Sequence, residues 1–291
     1  MIGSIVRRFV APALAAFALA GAAAAPAATI TVGPTTFVSA VNAAHAGDVV
    51  VLTDGEYGDP YFRSAPSAPA ITIDGCRADA HFRSLRFDGR GGLTLKCLQF
   101  VGGGLMLVGV RDVTVANLLA TAPPRAGIGI AASQHVAISD VEVIDAGADG
   151  VDIGGSQHVT VDRLACYASH PTPGAHPDCL QLYSKLPTHP VPTDDVAVRS
   201  VVAVGDTQGV DMFGNTLPAT NVHFDGLVVV SRYPRGVSMT SAGGCTGCSL
   251  TNSRVERLRG AAHAVQLDPQ APLPGWAAGS VTGNSPNSTA P

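Results

Sequence analysis

The sequence predicts an all-β chain wound as a parallel β-solenoid, and three observations carry that expectation. A strand phrase recurs as Gly127-Ile128-Gly129-Ile130, Gly150-Val151-Asp152-Ile153, Cys179-Leu180-Gln181-Leu182, Gly209-Val210-Asp211-Met212, Gly236-Val237-Ser238-Met239 and Ala264-Val265-Gln266-Leu267, at spacings of 23, 29, 30, 27 and 28 residues. A second phrase keeps step with it: Val113-Thr114-Val115, Val136-Ala137-Ile138, Val159-Thr160-Val161, Val196-Ala197-Val198 and Val222-His223-Phe224. Composition agrees, since 33 glycines among 291 residues and only 14% charged residues suit buried strands joined by tight turns. Two short strands per period, with no helix-length segment between them, describe one coil.

The chain opens on a secretory-type segment expected to cover residues 1–27. Arg7 and Arg8 precede an apolar run from Phe9, and small residues from Ala22 to Ala28 offer cleavage sites, the expected one after Ala27. The solenoid is expected over residues 28–270, in an exported or periplasmic protein. At its start, Thr29-Ile30-Thr31-Val32 alternates as a strand. Phe37, Ala40, Val41 and Ala44 then share one face of a short helix, expected to cap the first coil. Residues 271–291, rich in Pro, Gly, Ser and Asn, read as a flexible tail.

The net charge of −4 provides no basic field, so nucleic acid is not an expected partner. After the signal, no apolar run is long enough to cross a membrane. The protein is expected to act as a monomer. Six cysteines in an exported chain fit disulfides, and six allow 15 connectivities. Cys76–Cys97, Cys166–Cys179 and Cys245–Cys248 are favoured, because the first two are spaced to meet across a coil or a loop and the third closes a local ring.

Alternation along each strand sends Val151 and Ile153 inward and Asp152 outward. Stacked coils then build an outer column of Gly129, Asp152, Gln181, Asp211, Ser238 and Gln266. A second column contains Gly154, Tyr183 and Phe213, and a turn column reads Ala126, Asp149, Asp178, Gln208, Arg235 and His263. Two Pro-rich inserts, 169–178 and 185–195, flank the strand at Cys179, and inserts in a solenoid tend to mark the binding face.

Four carboxylates, Asp149, Asp152, Asp178 and Asp211, thus fall on three adjacent coils. Such a cluster needs a cation or a raised pKa. Asp152, Asp178 and Asp211 are candidate ligands for Ca²⁺, while Asp149 and Asp178 could alternatively serve only turns. His176 is a candidate base, and Lys185 and Arg235 are candidates to neutralise an acidic sugar. Gln181, Tyr183, Phe213 and Asp149 are expected to contact substrate.

The stretch from Phe37 to Tyr57, with Gly47-Asp48-Val49-Val50-Val51-Leu52-Thr53-Asp54-Gly55-Glu56 at its end, resembles the cap and first coil of the pectate-lyase-like right-handed parallel β-helix superfamily. The likeness extends over roughly residues 29–268. It implies a right-handed single-stranded helix acting on acidic polysaccharide by β-elimination or epimerisation. It also implies Ca²⁺ on neighbouring carboxylates and a basic residue in catalysis. Ala148-Asp149-Gly150-Val151-Asp152-Ile153 and Pro177-Asp178-Cys179-Leu180 resemble polygalacturonase phrases as well, which would make Asp149 and Asp178 a hydrolytic pair. Pro177 stands where that family has an Asp, and the family's later His-Gly and Arg-Ile-Lys phrases have no counterpart. A non-catalytic carbohydrate-binding or structural solenoid is the third expectation.

Overall fold

A computed structural model describes residues 26–64, 68–167, 169–184, 191–212, 217–233, 235–239, 245–257, 263–267 and 281–282; side chains are not described at 235, 239, 257, 263–267 and 281–282. Residues 1–25 of the expected signal lie outside these, as do Lys185, Phe213 and nearly all of the expected tail. The two described tail residues, Val281–Thr282, pair with Leu250 and Thr251 as one more strand.

The chain coils so that each turn adds one short strand to a parallel sheet, nine-stranded among the described residues and here called the site sheet. Its strands are Tyr61–Arg63, Leu85–Asp88, Leu105–Val108, Ile128–Ala131, Val151–Gly154, Asp178–Tyr183, Gln208–Met212, Arg235–Met239 and His263–Leu267. The register matches the repeated phrase: Gly129 lies opposite Asp152, Asp152 opposite Gln181, Gln181 opposite Asp211, and Asp211 opposite Ser238.

Each coil has more faces than the two strands per period anticipated. The second phrase belongs to long strands, Arg111–Thr121, Gln134–Ile144, Gln157–Tyr167 and Asp194–Gly205. Asn117, Asp140, Arg163 and Ser200 stand within them at φ of 56°, 55°, 56° and 56°. One residue in the left-handed region turns the chain while pairing resumes on both sides, so a corner that looks like a strand end in sequence interrupts no ladder. Asn and Asp tolerate that conformation best, which accounts for their recurrence at this corner.

Inward residues fill the solenoid. Val151, Ile153, Leu180, Leu182 and Val210 are fully buried, as expected. The N-terminal coils hold the aromatic part of the core, where Phe62 stacks on Phe87 at 5.0 Å. Helix α1, Phe37–Ala43, inserts Phe37 edge-on against Tyr57, Phe62 and Phe82 at 5.3 to 5.7 Å. Burying one such ring contributes about 1.5–3 kcal/mol.

The glycine that begins the phrase has a steric cause. A Cβ on Gly150 would stand 2.5 Å from the Cys179 carbonyl oxygen and 2.6 Å from Cys166 Sγ. On Gly104 it would stand 2.3 Å from the Gly127 carbonyl oxygen. Before the strands that begin at Leu105 and Val151 the turn therefore brings neighbouring backbones too close for a side chain, whereas Cys179 takes the equivalent place on the next coil. That close stacking sets Asp149 directly beside Asp178.

Candidate active site

Asp178 is the hub. It opens the strand Asp178–Tyr183 and is buried. The loop before it is closed by the Cys166–Cys179 disulfide, which spans 13 residues. The backbone N–H of Asp178 donates to Asp149 Oδ1 at 2.9 Å on the preceding coil. Its carboxylate accepts three further bonds. His176 Nδ1 reaches Oδ2 at 2.8 Å, Gln181 Nε2 reaches Oδ2 at 2.9 Å, and Gln208 Nε2 reaches Oδ1 at 2.7 Å. Burial nevertheless pushes this carboxyl up to about 7, against the lowering effect of His176.

His176 is half-buried and packs edge-on against Tyr233 at 5.6 Å. The hydrogen bond to Asp178 holds its pKa above the ordinary histidine value. Gln208 Nε2 also stands 2.9 Å from His176 Nε2. An amide nitrogen only donates, so this contact assigns the proton to Nδ1 and the lone pair to Nε2. Asp178 thus fixes the tautomer and orientation of a neutral imidazole, and Gln208 occupies its basic nitrogen. Both amide protons of Gln208 are spent, while its Oε1 is buried without a partner among the described residues.

Asp149 and Asp152 form a second group. Both are half-buried, and their carboxyls hydrogen-bond to each other, which requires one proton between them. Burial raises both, and the charges of Asp149 and Asp178 raise Asp152 further. Asp152 is therefore the member that keeps the proton towards neutral pH. Its Oδ1 is buried with no hydrogen-bond partner among the described residues. Tyr183 lies beside this pair, with its ring over Gly154, where a Cβ would meet Cε2 and Cζ at 2.5 Å. Burial, with the nearby Asp152 and Asp149 charges, pushes the phenol up to about 12.

Asp211 departs from the expected exposed column. It points away from the core, as Asp152 does, yet it is buried, as is every residue of Gln208–Met212. His176 Nδ1 lies 3.9 Å from Asp211 Oδ2. Of the proposed ligands, the structure brings Asp178 and Asp211 together with His176, all offering atoms within 4.8 Å of one another, while Asp152 pairs with Asp149. A divalent cation could use three such atoms, but the donors do not suit Ca²⁺. Ca²⁺ takes hard oxygen ligands, whereas one donor here is an imidazole nitrogen. Both Asp178 oxygens are also already held by N–H donors.

Among the other expected residues, Gln181 binds Asp178, and Arg235 is placed by its backbone opposite His263, with its side chain not described. Lys185 and Phe213 lie outside the described residues. Two residues of the site carry little signal in the sequence. Gln208 stands in the turn column with Asp149 and Asp178, and that column is its only signal. Tyr233 follows no repeated phrase and has none.

No protein-family model matches the chain, and no curated protein matches it. Among solved structures, the pectate lyase Pel9A is similar over 79% of this chain and 70% of its own, at 14% identity and a TM-score of 0.53. The A-module of the mannuronan C-5 epimerase AlgE6 of Azotobacter vinelandii matches over 85% and 92%, at 12% identity and a TM-score of 0.44. An alginate lyase from Paenibacillus sp. str. FPU-7 matches over 88% and 97%, at 16% identity and a TM-score of 0.32. The chain has the parallel β-helix fold of the pectate-lyase-like proteins.

Proposed function

We propose that the protein is a secreted polysaccharide lyase that cleaves an acidic, uronate-containing polysaccharide by β-elimination. The observation that carries the reading is the His176–Asp178 pair, buried at its carboxylate end and flanked by the Asp149–Asp152 carboxyls. Elimination needs a base at C5 of a uronate, relief of the charge on its carboxylate, and a proton for the departing oxygen. His176 supplies the base through Nε2 once substrate displaces Gln208. Asp178 then stabilises the imidazolium from Nδ1. Asp152, neutral near pH 7, turns its one proton from Asp149 to the substrate carboxylate, with Arg235 and Lys185 as further neutralisers. The C5–H pair becomes the new C4–C5 double bond, the C4–O bond breaks, and the imidazolium returns its proton to the departing oxygen. Gln181, Tyr183, Phe213 and Asp149 contact the sugar. No step runs through Ca²⁺, because the donor set does not suit it.

The fold likeness to a protein named as a pectate lyase is in line with this reading. Three features support export: the basic-then-apolar start, the small-residue run and the paired cysteines. A glycoside hydrolase using Asp149 and Asp178 is the second reading, favoured by the 2.9 Å bond that joins these two residues and by their shared upward shift. Incubation with pectate, alginate and glycosaminoglycans separates the two. Ultraviolet absorbance of unsaturated ends is expected on one polymer. New reducing ends without that absorbance would replace elimination by hydrolysis, and neither signal would leave a binding module. Asp178→Asn is expected to lower turnover about 10²–10⁴-fold in a folded protein.

A further inference from the structure

A cleft of about 320 Å³ opens on the coils that precede the carboxylate cluster. Arg83, Gly103, Gly104, Met106, Arg125 and Ala126 line it. Gly103 and Ala126 fall in the turn column that continues through Asp149 and Asp178, by the register of the strands that follow them. At about 4.8 Å per coil, the cleft is centred roughly 10–14 Å from Asp178 along the solenoid. It belongs to the same rim but shares no residue with the site above.

Its chemistry is opposite to that of the carboxylate cluster. Arg125 is exposed and has no ion pair or hydrogen bond among the described residues, whereas Arg83 is bound to Asp59. Asp59 is the one carboxylate lining the cleft among the described residues, and it also accepts from Ser84 Oγ at 2.7 Å. The floor is bare backbone. A Cβ on Gly103 would stand 1.9 Å from the Arg83 carbonyl oxygen, so no side chain can grow there. Gly102 N and Leu105 N both donate within the protein, at 2.9 Å each to Thr121 and Gly127 carbonyls. The consecutive N–H groups of Gly103 and Gly104 between them have no acceptor among the described residues. Adjacent free N–H groups beside a free guanidinium make an anion-binding concavity. Met106, whose sulfur lies over Gly129, adds an apolar surface on the side facing the carboxylate cluster.

We propose that this cleft is a distal subsite for the carboxylate of a uronate residue, taken up by Arg125 and the Gly103 and Gly104 N–H groups while another residue of the same polymer occupies the His176–Asp178 site. The volume is that of a small-ligand pocket. A coil and a sugar unit are of comparable length, so a polymer lying along the site sheet reaches both places. This rests on the reading of the substrate as an acidic polysaccharide. The cleft confers a requirement for chain length and for charge away from the bond that breaks.

The test uses the full chain carrying Asp178→Asn, in which turnover is expected to be slow enough for binding to be read. Binding of a uronate disaccharide, a uronate hexasaccharide and a carboxyl-reduced hexasaccharide is measured by calorimetry, with and without Arg125→Ala. The expected result is roughly tenfold weaker binding of the hexasaccharide by the Arg125→Ala protein, with the disaccharide and the reduced hexasaccharide unchanged. Arg125→Lys should restore part of the loss. If the hexasaccharide binds both proteins alike, the subsite is overturned and the lyase reading stands. If no uronate oligomer binds either protein, both fall together. Arg125 is exposed, so its replacement leaves the packed coils intact.

Discussion

Gln208 Nε2 stands 2.9 Å from His176 Nε2 while also donating to Asp178 Oδ1 at 2.7 Å. One amide thus holds both members of the pair, and its protons are available only to a neutral imidazole facing a charged carboxylate. Gln208→Leu should cut turnover at least about tenfold, by freeing the imidazole to rotate and leaving Asp178 one donor short. Gln208→Glu should instead keep the imidazole protonated, moving the acid limb of the pH–rate profile upward. A profile unchanged in both variants would remove Gln208 from the site.

Stability should fall as pH rises. Asp178 has a folded value near 7 against an ordinary carboxyl, so its protonated form stabilises fully below about 4 and that contribution is lost as pH rises to about 7. His176 is also raised, so its contribution is full below its unfolded value of about 6.5 and is lost above its folded one. Both act in the same direction. The Asp178 part amounts to roughly 4 kcal/mol at most. Melting temperatures at about pH 5 and pH 8 check it: a higher Tm at pH 5, and a flatter profile in Asp178→Asn, are expected.

The Cys166–Cys179 bond closes the loop that presents His176 and Asp178. Replacing both cysteines by serine should cost about 3 kcal/mol, the amount expected for a loop of this length. Turnover should fall further than the unfolded fraction alone explains, because the loop is no longer held at both ends. Turnover measured well below the new Tm separates these effects.

Gly154→Ala puts a methyl where the Tyr183 ring lies. Displacing the ring should cost about 1–3 kcal/mol and raise KM more than it lowers kcat. Tyr183→Phe keeps the ring and tests the hydroxyl alone. If kcat falls and KM holds in Gly154→Ala, Tyr183 is not a sugar platform.

Chelation tests the donor argument. With an imidazole nitrogen among the three atoms and three of the Asp178 acceptor positions taken by N–H groups, EDTA should leave turnover unchanged and added Ca²⁺ should not raise it. Activity lost to EDTA and restored by Ca²⁺ would mean that substrate completes an oxygen site.

The phrase beginning Gly150-Val151-Asp152-Ile153 makes the columns legible, because a two-residue strand period and one strand per coil leave a single way to stack the repeats. The three cysteine pairs that the spacing favours among the 15 possible are the three the structure contains. What a column does not convey is direction and cover. Asp152 and Asp211 occupy equivalent positions, yet one pairs with Asp149 and the other is buried near His176. Loops decide that difference, and loops follow no repeat. The corners at Asn117 and Asp140 are visible as recurring turn residues, but their left-handed backbone keeps the sheet continuous, which composition alone does not convey.

The close stacking at Gly104 and Gly150 leaves adjacent coils no room to slide past one another, and the ladder bonds hold them together. A surface built this way does not fold over its ligand as a hinged enzyme does. It behaves as a fixed template, so the loss of conformational freedom on binding falls on the polymer rather than on the protein. Selectivity then becomes a matter of which glycan already favours the shape of the groove, and a stiff chain should be held better than a supple one of identical charge.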